Sequence, residues 1–493
     1  MVKRTGKRVT TFAQSNHRMK NFSIVKRNNN TGIGFHSGIV ASQALHRHTN
    51  WQLCRLHQKF NQYLHKYKLA GFAFVSALLT LSSCSVSKQI SKQASTILLK
   101  DSAISTGHIG ISIYEPATGT YWYNHDASNY FIPASNTKLF SLYAGLKYLG
   151  DSLPAMRYQI NNDSSLSIQP TGDPTFLHPE FSQPVYNFLT RYKNIQFTHP
   201  FFTDNFLGMG WAWDDYKESY MTQRSNFPIY GNLIHIQKTG NRFSVVPYNQ
   251  AYIMPEHTDL KNGFDILKNW DNNDLIITSG SRQNAFIPFH PSASEIIRML
   301  ADTLHNSIDT ELDDTITLTL LFHSQPVDSL FKPMMHRSDN FFAEQTLLMA
   351  SNQHIGTMND EKIIDTLLKS DLRDIPQRPK WVDGSGLSRY NLFTPQAFVY
   401  ILNKMKNEFG LDRLKNILPT GGTGTLSAYY KNEAGLIFAK TGTLSNNCAL
   451  SGFIITKKNK LLIFSILANN YITNATPIRK AVEKFLVNLR EKY

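Results

Sequence analysis

Acidic residues are missing from the first hundred positions of the chain, and the first carboxylate belongs to Asp101. Residues 1–68 contain 13 Lys and Arg, so this segment carries most of the formal net charge of +15. In the remainder, 38 basic residues face 36 acidic ones. The basic character therefore belongs to the N-terminal segment, and it gives no reason to expect that the folded part binds nucleic acid.

Cysteines and long apolar runs are also scarce. The chain has three cysteines, Cys54, Cys84 and Cys448, and no cluster of Cys and His has the spacing of a metal site. The apolar run Leu69–Leu81 is shorter than the roughly 20 residues that span a bilayer. These shortages argue against a metal site and against a transmembrane helix.

The run Leu69–Leu81 has instead the length of the hydrophobic region of a signal peptide, and it follows Lys66 and Lys68. It closes on Leu81-Ser82-Ser83-Cys84, which resembles the lipobox of bacterial lipoproteins. The resemblance implies cleavage before Cys84 and attachment of a lipid to it. A buried core helix with an incidental cysteine is the alternative.

Processing at Cys84 would separate a leader with its signal peptide, 1–83, from a lipidated cysteine and polar tether, 84–104. Cleavage would remove Cys54 and leave Cys448 without a cysteine for an intrachain disulfide. The segment before the apolar run is too long for the charged start of a signal peptide, so we expect translation to begin downstream of the first residue. The sequence thus predicts an exported protein.

The mature chain opens with a strand pattern and then a helix pattern. Residues 108–125 alternate apolar and polar positions around a Pro–Gly turn, which predicts a β-hairpin. Residues 135–150 place leucines at helical spacing and end on Gly150, a typical helix stop. Near the C-terminus, residues 435–470 form three apolar runs with tight links, which predict an antiparallel meander before a final amphipathic helix.

The middle of the chain has a different composition. Residues 156–286 are rich in Asn, Asp, Pro and aromatic residues and contain short strand-like runs. We interpret this stretch as an inserted β-rich domain. The flanking residues, 105–155 plus 287–493, would then form the main domain.

A serine and a lysine stand three residues apart at the predicted helix start, in Ser135-Asn136-Thr137-Lys138. One helical turn places both side chains on the same face. Burial and a second cation would lower the pKa of Lys138 and free its amine to take the Ser135 proton. A Ser-x-x-Lys pattern also arises by chance, as at Ser85 to Lys88, so this match alone is weak.

Two further patterns contain residues of similar chemistry. Ser338-Asp339-Asn340 precedes a helical segment, where Ser338 is either a helix N-cap or a proton shuttle and Asn340 can hold a substrate carbonyl. Lys440-Thr441-Gly442-Thr443 interrupts an apolar strand, where a lysine is costly unless its charge has a function. The threonines can hold a carboxylate, and a backbone N–H near Thr443 can complete an oxyanion hole with that of Ser135.

The chain also contains decoys, Lys238-Thr239-Gly240 and Ser445-Asn446-Asn447. Only Ser135, Ser338 and Lys440 follow the order helix start, helix start, edge-like strand. That order distinguishes the candidate set.

The ordered motifs SNTK, SDN and KTG resemble those of the penicillin-interacting serine enzymes, which include DD-peptidases and serine β-lactamases. About 200 residues separate Lys138 from Ser338, many more than in β-lactamases. The segments at 382–395 and 418–427 resemble the signature of class C low-molecular-mass penicillin-binding proteins, the D-Ala-D-Ala carboxypeptidase/endopeptidases. The segments at 171–176 and 210–220 resemble landmarks of their inserted domain.

The resemblance implies a mixed α/β fold of the β-lactamase/transpeptidase type, with a five-stranded antiparallel sheet flanked by helices. It implies that Ser135 is the acylated nucleophile, Lys138 its base and Ser338 a proton relay. Asn340 would orient the acyl part of the substrate. The terminal carboxylate would be bound by the third motif, Lys440, Thr441, Gly442 and Thr443.

The same resemblance implies peptidoglycan peptides as substrates, β-lactam antibiotics as covalent inhibitors, and no metal or organic cofactor. With the lipid anchor at Cys84, the protein would face the periplasm, and Ser85 is consistent with sorting to the outer membrane. The insertion is somewhat short for the family, and its lead-in Gln169-Pro170-Thr171-Gly172 has few glycines. Two alternatives are a β-lactamase-like hydrolase or esterase on the same core and a non-catalytic wall-binding lipoprotein.

Overall fold

The computed structural model describes residues 86–198, 202–247, 252–253, 260–309 and 318–493. The predicted leader and signal peptide, 1–83, and the predicted lipidation site Cys84 lie outside the described residues. Within those ranges, no helix combines the length and the apolar character needed to cross a membrane.

The helices of the described residues are numbered α1 to α10. They are α1 (86–94, continued by a π-helical turn at Ser95–Leu99), α2 (Lys138–Tyr148), α3 (Pro184–Leu189), α4 (Ala293–Leu304), α5 (Val327–His336), α6 (Asn340–Ile355), α7 (Asp360–Lys369), α8 (Pro395–Phe409), α9 (Leu411–Ile417) and α10 (Ala475–Lys492).

The strands are numbered in the same way. They are β1 (His108–Glu115), β2 (Thr120–His125), β3 (Ser152–Ile160), β4 (Leu166–Pro170), β5 (Asn194–Phe197), β6 (Leu233–Thr239), β7 (Arg242–Val246), β8 (Tyr252–Ile253), β9 (Phe264–Lys268), β10 (Leu275–Ser279), β11 (Asn284–Pro288), β12 (Ser307–Asp309), β13 (Leu320–Pro326), β14 (Ile437–Leu444), β15 (Asn447–Ile455) and β16 (Leu461–Asn469).

Residues 108–125 and 437–469 build one five-stranded antiparallel sheet, in the order β14-β15-β16-β1-β2. The predicted hairpin and the predicted meander meet where β1 pairs with β16, from His108 opposite Asn469 to Tyr114 opposite Ile463. β14, which carries the third motif, lies at the edge of this sheet, as its sequence context predicts.

Helices cover both faces of that sheet because successive side chains of a strand point to opposite sides. On β15, Ala449 and Phe453 belong to the hydrophobic cluster that contains α2 and α8. Their neighbours Leu450 and Ile454 belong to the cluster that contains α10. The sheet is therefore sandwiched between two helical layers.

Helix α2 is central to the first layer. Its residues from Lys138 to Leu146 are all buried, so this helix is enclosed on every side rather than amphipathic with one exposed face. It ends next to Gly150, whose φ of 72° is the left-handed conformation that glycine adopts at helix ends. The glycine stop predicted from the sequence is thus present.

The middle of the chain forms three further sheets. Their orders are β12-β5-β4-β3-β13, β8-β10-β9 and β11-β6-β7. One hydrophobic cluster contains side chains from 155 to 304, including Ile296 and Leu300 of α4. The division at residues 156 and 286 stays a prediction, and side chains on both sides of it share this cluster.

Candidate active site

Ser135 and Lys138 lie where a 3-10 turn, Ala134–Thr137, runs into helix α2. The Lys138 Nζ atom donates to Ser135 Oγ at 3.1 Å. Ala134 has a φ of 48°, a conformation that costs a non-glycine residue on the order of 1 kcal/mol or more. The turn therefore holds the serine against the amine at some expense of backbone strain.

Lys138 is completely buried. Its Nζ also donates to Asn340 Oδ1 at 2.6 Å and to the Ser385 carbonyl at 2.7 Å. Burial lowers the pKa of Lys138 to about 8, although the carboxylates of Glu344, Asp383 and Asp339 oppose the shift. An amine with this pKa is neutral often enough near neutral pH to accept a proton.

Ser338 and Lys440 form the second hydroxyl–amine pair of the site. Lys440 Nζ donates to Ser338 Oγ at 2.8 Å and to the Thr441 carbonyl at 2.6 Å. Lys440 is completely buried, and burial, followed by the nearby charge of Lys138, holds its pKa well below the ordinary value. Two serine–lysine pairs from distant parts of the sequence thus meet in one site.

The residue that caps α6 is Asp339, whose side chain accepts from the Phe342 N–H at 3.0 Å. The interpretation of Ser338 as the helix N-cap is therefore wrong. Ser338 instead has a φ of 62°, and its hydroxyl lies against Lys440. Because Asp339 takes over the capping, the serine is available for the site.

Asn340 has partners at both ends of its amide. Its Oδ1 accepts from Lys138, and its Nδ2 donates to the Tyr220 carbonyl at 2.8 Å. Tyr220 belongs to the predicted inserted domain, so that domain contacts a motif residue directly. Nδ2 carries two N–H donors, so a bond to a substrate carbonyl does not require loss of the bond to the Tyr220 carbonyl.

Gly442 brings the edge strand against the nucleophile. A Cβ atom on Gly442 would lie 2.6 Å from the Pro133 carbonyl oxygen and 3.1 Å from the Ser135 nitrogen. No other residue type fits this approach without displacement of the backbone. The oxyanion hole of the Ser135 and Thr443 N–H groups stays a prediction, and the close approach at Gly442 is consistent with it.

Thr443 has a partner that sequence reasoning missed. Arg479 of α10 donates from Nη2 to Thr443 Oγ1 at 2.5 Å. Helix α10 follows the third motif by more than 30 residues, and an arginine in a C-terminal amphipathic helix gives no local signal of a site.

Two buried carboxylates, also missed, hold the loop that receives Lys138. Glu344 accepts from the Gly384 and Ser385 N–H groups at 3.1 and 2.8 Å. Asp383 accepts from the Gly386 and Ser388 N–H groups at 2.8 and 2.7 Å. The sequence around Asp383 resembles a family signature, but it does not reveal this role.

Arg224 connects the inserted region to this carboxylate support. Its side chain is 2% exposed and lies 2.9 Å from Glu344, 2.5 Å from Asp360 and 3.1 Å from Asp204. Burial raises the pKa of Glu344 and of Asp360, while the charge of Arg224 opposes both shifts. The arginine therefore compensates Glu344, which holds the Lys138 loop, together with Asp204 and Asp360.

A cleft of about 670 Å³ opens beside Ser338 and Asn340, a size suited to a ligand. Its wall comes from α6 and from the inserted region, with Tyr220, Tyr230 and Phe286 among the aromatic side chains. The sequence decoy at Lys238 lies elsewhere, in β6, with its Nζ bonded to the Gly240 carbonyl. Across the described ranges, no group of three or more His, Cys, Asp and Glu is placed to hold a metal ion.

The chain matches the model of the D-Ala-D-Ala carboxypeptidase 3 (S13) family over residues 90–263 and 305–492. One relative is D-alanyl-D-alanine carboxypeptidase DacB of Haemophilus influenzae, 23% identical over 406 residues, which cover 71% of this chain and 83% of the relative. Another is a D-alanyl-D-alanine carboxypeptidase of an Actinomadura species, 24% identical over 446 residues, which cover 76% and 80%.

Among solved structures, the chain is similar to penicillin binding protein 4 (dacB) from Haemophilus influenzae, with a TM-score of 0.64 and 19% identity over 82% of this chain and 99% of that one. A second crystal structure of that protein is complexed with a novel β-lactam and has a TM-score of 0.59 at 19% identity, with the same coverage. At this identity the likeness shows the fold. It confirms the predicted α/β class, with an antiparallel five-stranded sheet between helices.

Proposed function

Because the chain belongs to the D-Ala-D-Ala carboxypeptidase 3 (S13) family, we propose that it is a serine-type D-Ala-D-Ala carboxypeptidase acting on the stem peptides of peptidoglycan. The reaction would include the endopeptidase cut at D-Ala cross-links, which breaks the same kind of bond. The observation that carries the proposal is the buried amine of Lys138 at 3.1 Å from Ser135 Oγ.

Acylation follows from that pair. The neutral Lys138 amine takes the Ser135 proton as Oγ attacks the carbonyl carbon of the penultimate D-alanine. The tetrahedral oxyanion that forms would be stabilised by the Ser135 and Thr443 N–H groups. The lysine lies within reach of the proton that it removes, as general-base catalysis requires.

Collapse of this intermediate breaks the peptide C–N bond and leaves the acyl group on Ser135. The departing amine needs a proton, and Ser338 is placed to supply it, because its hydroxyl is held by Lys440 Nζ at 2.8 Å. Thr441 and Thr443 would bind the terminal carboxylate of the leaving D-alanine. Ser338 then regains a proton from the protonated Lys138, which leaves the Lys138 amine neutral again. Water attacks the acyl carbon, Lys138 takes the proton of that water, and the proton passes to Ser135 Oγ as the ester C–O bond breaks.

Release of free D-alanine from a D-Ala-D-Ala-terminated peptide tests this function. The wild-type protein should release D-alanine, and the Ser135→Ala variant should release none above background. The variant should stay folded, because a serine at a helix start contributes only about 1 kcal/mol. Equal release by both proteins would contradict the assignment of the nucleophile.

β-Lactams would act as covalent inhibitors by acylating the same serine. The β-lactam complex of the Haemophilus protein supports this, because that protein shares the fold. A β-lactamase-like hydrolase on the same core would turn the drug over rapidly instead. A non-catalytic wall-binding protein would form no adduct, and the intact pairs at Ser135 and Ser338 argue against it.

The proposed location is the cell envelope, as a periplasm-facing lipoprotein of the outer membrane. The support is the lipobox-like ending at Cys84 after an apolar run. In cells fed a labelled fatty acid, the wild-type protein should incorporate label and the Cys84→Ala variant should not. Incorporation by the variant would remove Cys84 as the anchor.

A further inference from the structure

Arg479 belongs to none of the three motifs, but it contacts Thr443 of the third motif. It lies near the start of α10 and is half-buried, and its Nη2 donates to Thr443 Oγ1 at 2.5 Å. It also lines a small cavity of about 30 Å³ together with Thr441 and Cys448. The guanidinium therefore lies on the face of the edge strand that carries both threonine side chains.

The leaving D-alanine of the proposed reaction carries a carboxylate, and a carboxylate is best held by a cation with hydrogen bonds. Lys440 is poorly suited to be that cation. It is completely buried, its Nζ already donates to Ser338 and to the Thr441 carbonyl, and burial beside Lys138 disfavours its charged form.

Arg479 has the properties that Lys440 lacks. A guanidinium is always protonated, and it offers five N–H donors in a planar fork that matches a carboxylate. The Thr443 hydroxyl takes one of these donors, and the Cys448 side chain takes a second. The remaining donors are sufficient for a two-point contact with an anion.

We propose that Arg479 binds the C-terminal carboxylate of the substrate, beside the Thr441 and Thr443 hydroxyls, and thereby selects peptides that end in a free acid. The inference rests on the proposed function, since it names the group that the leaving residue presents to that site. The proposal assigns recognition of the carboxylate charge to Arg479 of α10, whereas the resemblance of the third motif assigns it to Lys440.

One other role of Arg479 and one other residue compete with this assignment. Arg479 could merely tie α10 to β14, in which case its loss would weaken folding and affect all substrates alike. The second guanidinium near this end of the strand is Arg389, whose Nη2 donates to the Ser445 carbonyl at 3.1 Å. Arg389 is exposed, so it is a rival for the same carboxylate.

The test compares two peptides that differ at one group, a D-Ala-D-Ala acid and its C-terminal amide. The variants are Arg479→Gln and Arg479→Lys, with Lys480→Gln as the matched control, because Lys480 is the adjacent exposed cation of the same helix. Arg389→Gln tests the rival. Thermal unfolding of every variant reports on any structural effect.

We expect Arg479→Gln to lower kcat/KM for the acid by about 10- to 100-fold and to leave the amide within about twofold, as the loss of one charge-assisted contact predicts. Arg479→Lys should restore part of the preference for the acid, and Lys480→Gln should change neither substrate. An unchanged acid-to-amide ratio in Arg479→Gln, or its collapse in Arg389→Gln instead, would overturn the inference. A wild-type protein that cleaves neither peptide would contradict the proposed function itself.

Discussion

Lys138 and Lys440, the lysines of the proposed active site, and Arg224 are all almost completely buried, but their surroundings differ. Arg224 lies within ion-pair distance of Asp204, Glu344 and Asp360. Lys138 and Lys440 bind hydroxyl, amide and carbonyl oxygens, and in the part of the chain that the structure describes neither forms an ion pair with a carboxylate.

The pKa values diverge accordingly. Carboxylate partners raise the pKa of Arg224 above its ordinary value, whereas burial lowers the pKa of both lysines. A buried cation with acidic partners keeps its charge. Arg224 thereby links the predicted inserted domain to helices α6 and α7, which carry Glu344 and Asp360. A buried cation without them loses charge readily, and its amine becomes a base.

Replacing the base should have the largest effect on activity. We expect Lys138→Met to reduce the acylation rate by about 10²- to 10⁴-fold, the usual contribution of general-base catalysis. The melting temperature should not fall, because the change removes a desolvated cation that has no acidic partner. Acylation by a fluorescent penicillin and thermal unfolding measure the two quantities. An unfolded variant would show that the lysine is structural.

Replacing Arg224, the cation with carboxylate partners, should lower the stability of the protein. We expect Arg224→Met to destabilise the protein by about 3–5 kcal/mol, because it leaves buried carboxylates without their cation. The pKa values of Glu344 and Asp360 are already raised, so the protonated forms favour the folded state as pH falls. The deficit of the variant should therefore shrink on acidification. A deficit that is independent of pH, in denaturant unfolding, would contradict this account.

The pH dependence of acylation should follow Lys138. Only its neutral amine accepts a proton, so the acylation rate should rise with pH and level off above the pKa of about 8. The pKa is lowered in the folded state, so the same deprotonation makes the protein more stable as pH rises above about 8, where the unfolded chain still holds the proton. A rate that is flat from pH 6 to 9 would exclude a titrating base.

The smallest effect should come from a change of charge at the cap of α6. Asp339→Asn keeps a side chain that caps well, so stability should change by less than about 1 kcal/mol. It removes a negative charge that raises the pKa of Lys138, so the midpoint of the acylation profile should move to lower pH. A shift to higher pH would show that this carboxylate does not act on the lysine through its charge.

Much of the fold and of the motif set could be predicted because the signals are local. Alternation over 108–125 and the three apolar runs of 435–470 define strands by themselves. Lys440 could be singled out because a lysine inside an apolar strand needs a reason. Ser135 and Lys138 meet because they lie one helical turn apart.

The supporting groups could not be predicted because their contacts join distant segments. Arg224 is a single arginine in an irregular stretch. The sequence around it gives no indication that it pairs with Glu344, which lies 120 residues further along the chain. Arg479 becomes relevant only when α10 packs against the sheet. Asp339 was not predicted as the cap of α6, because Ser338 directly before it belongs to a residue type that caps helices equally well.

The most direct test of the central claim is the intact mass of the purified protein after incubation with benzylpenicillin, followed by peptide mapping. We expect one stable penicilloyl group per chain, located on Ser135, and none on Ser135→Ala. A group on another residue, or no adduct with the drug left intact, would contradict it. Hydrolysis of the drug without accumulation of an adduct would identify a β-lactamase instead.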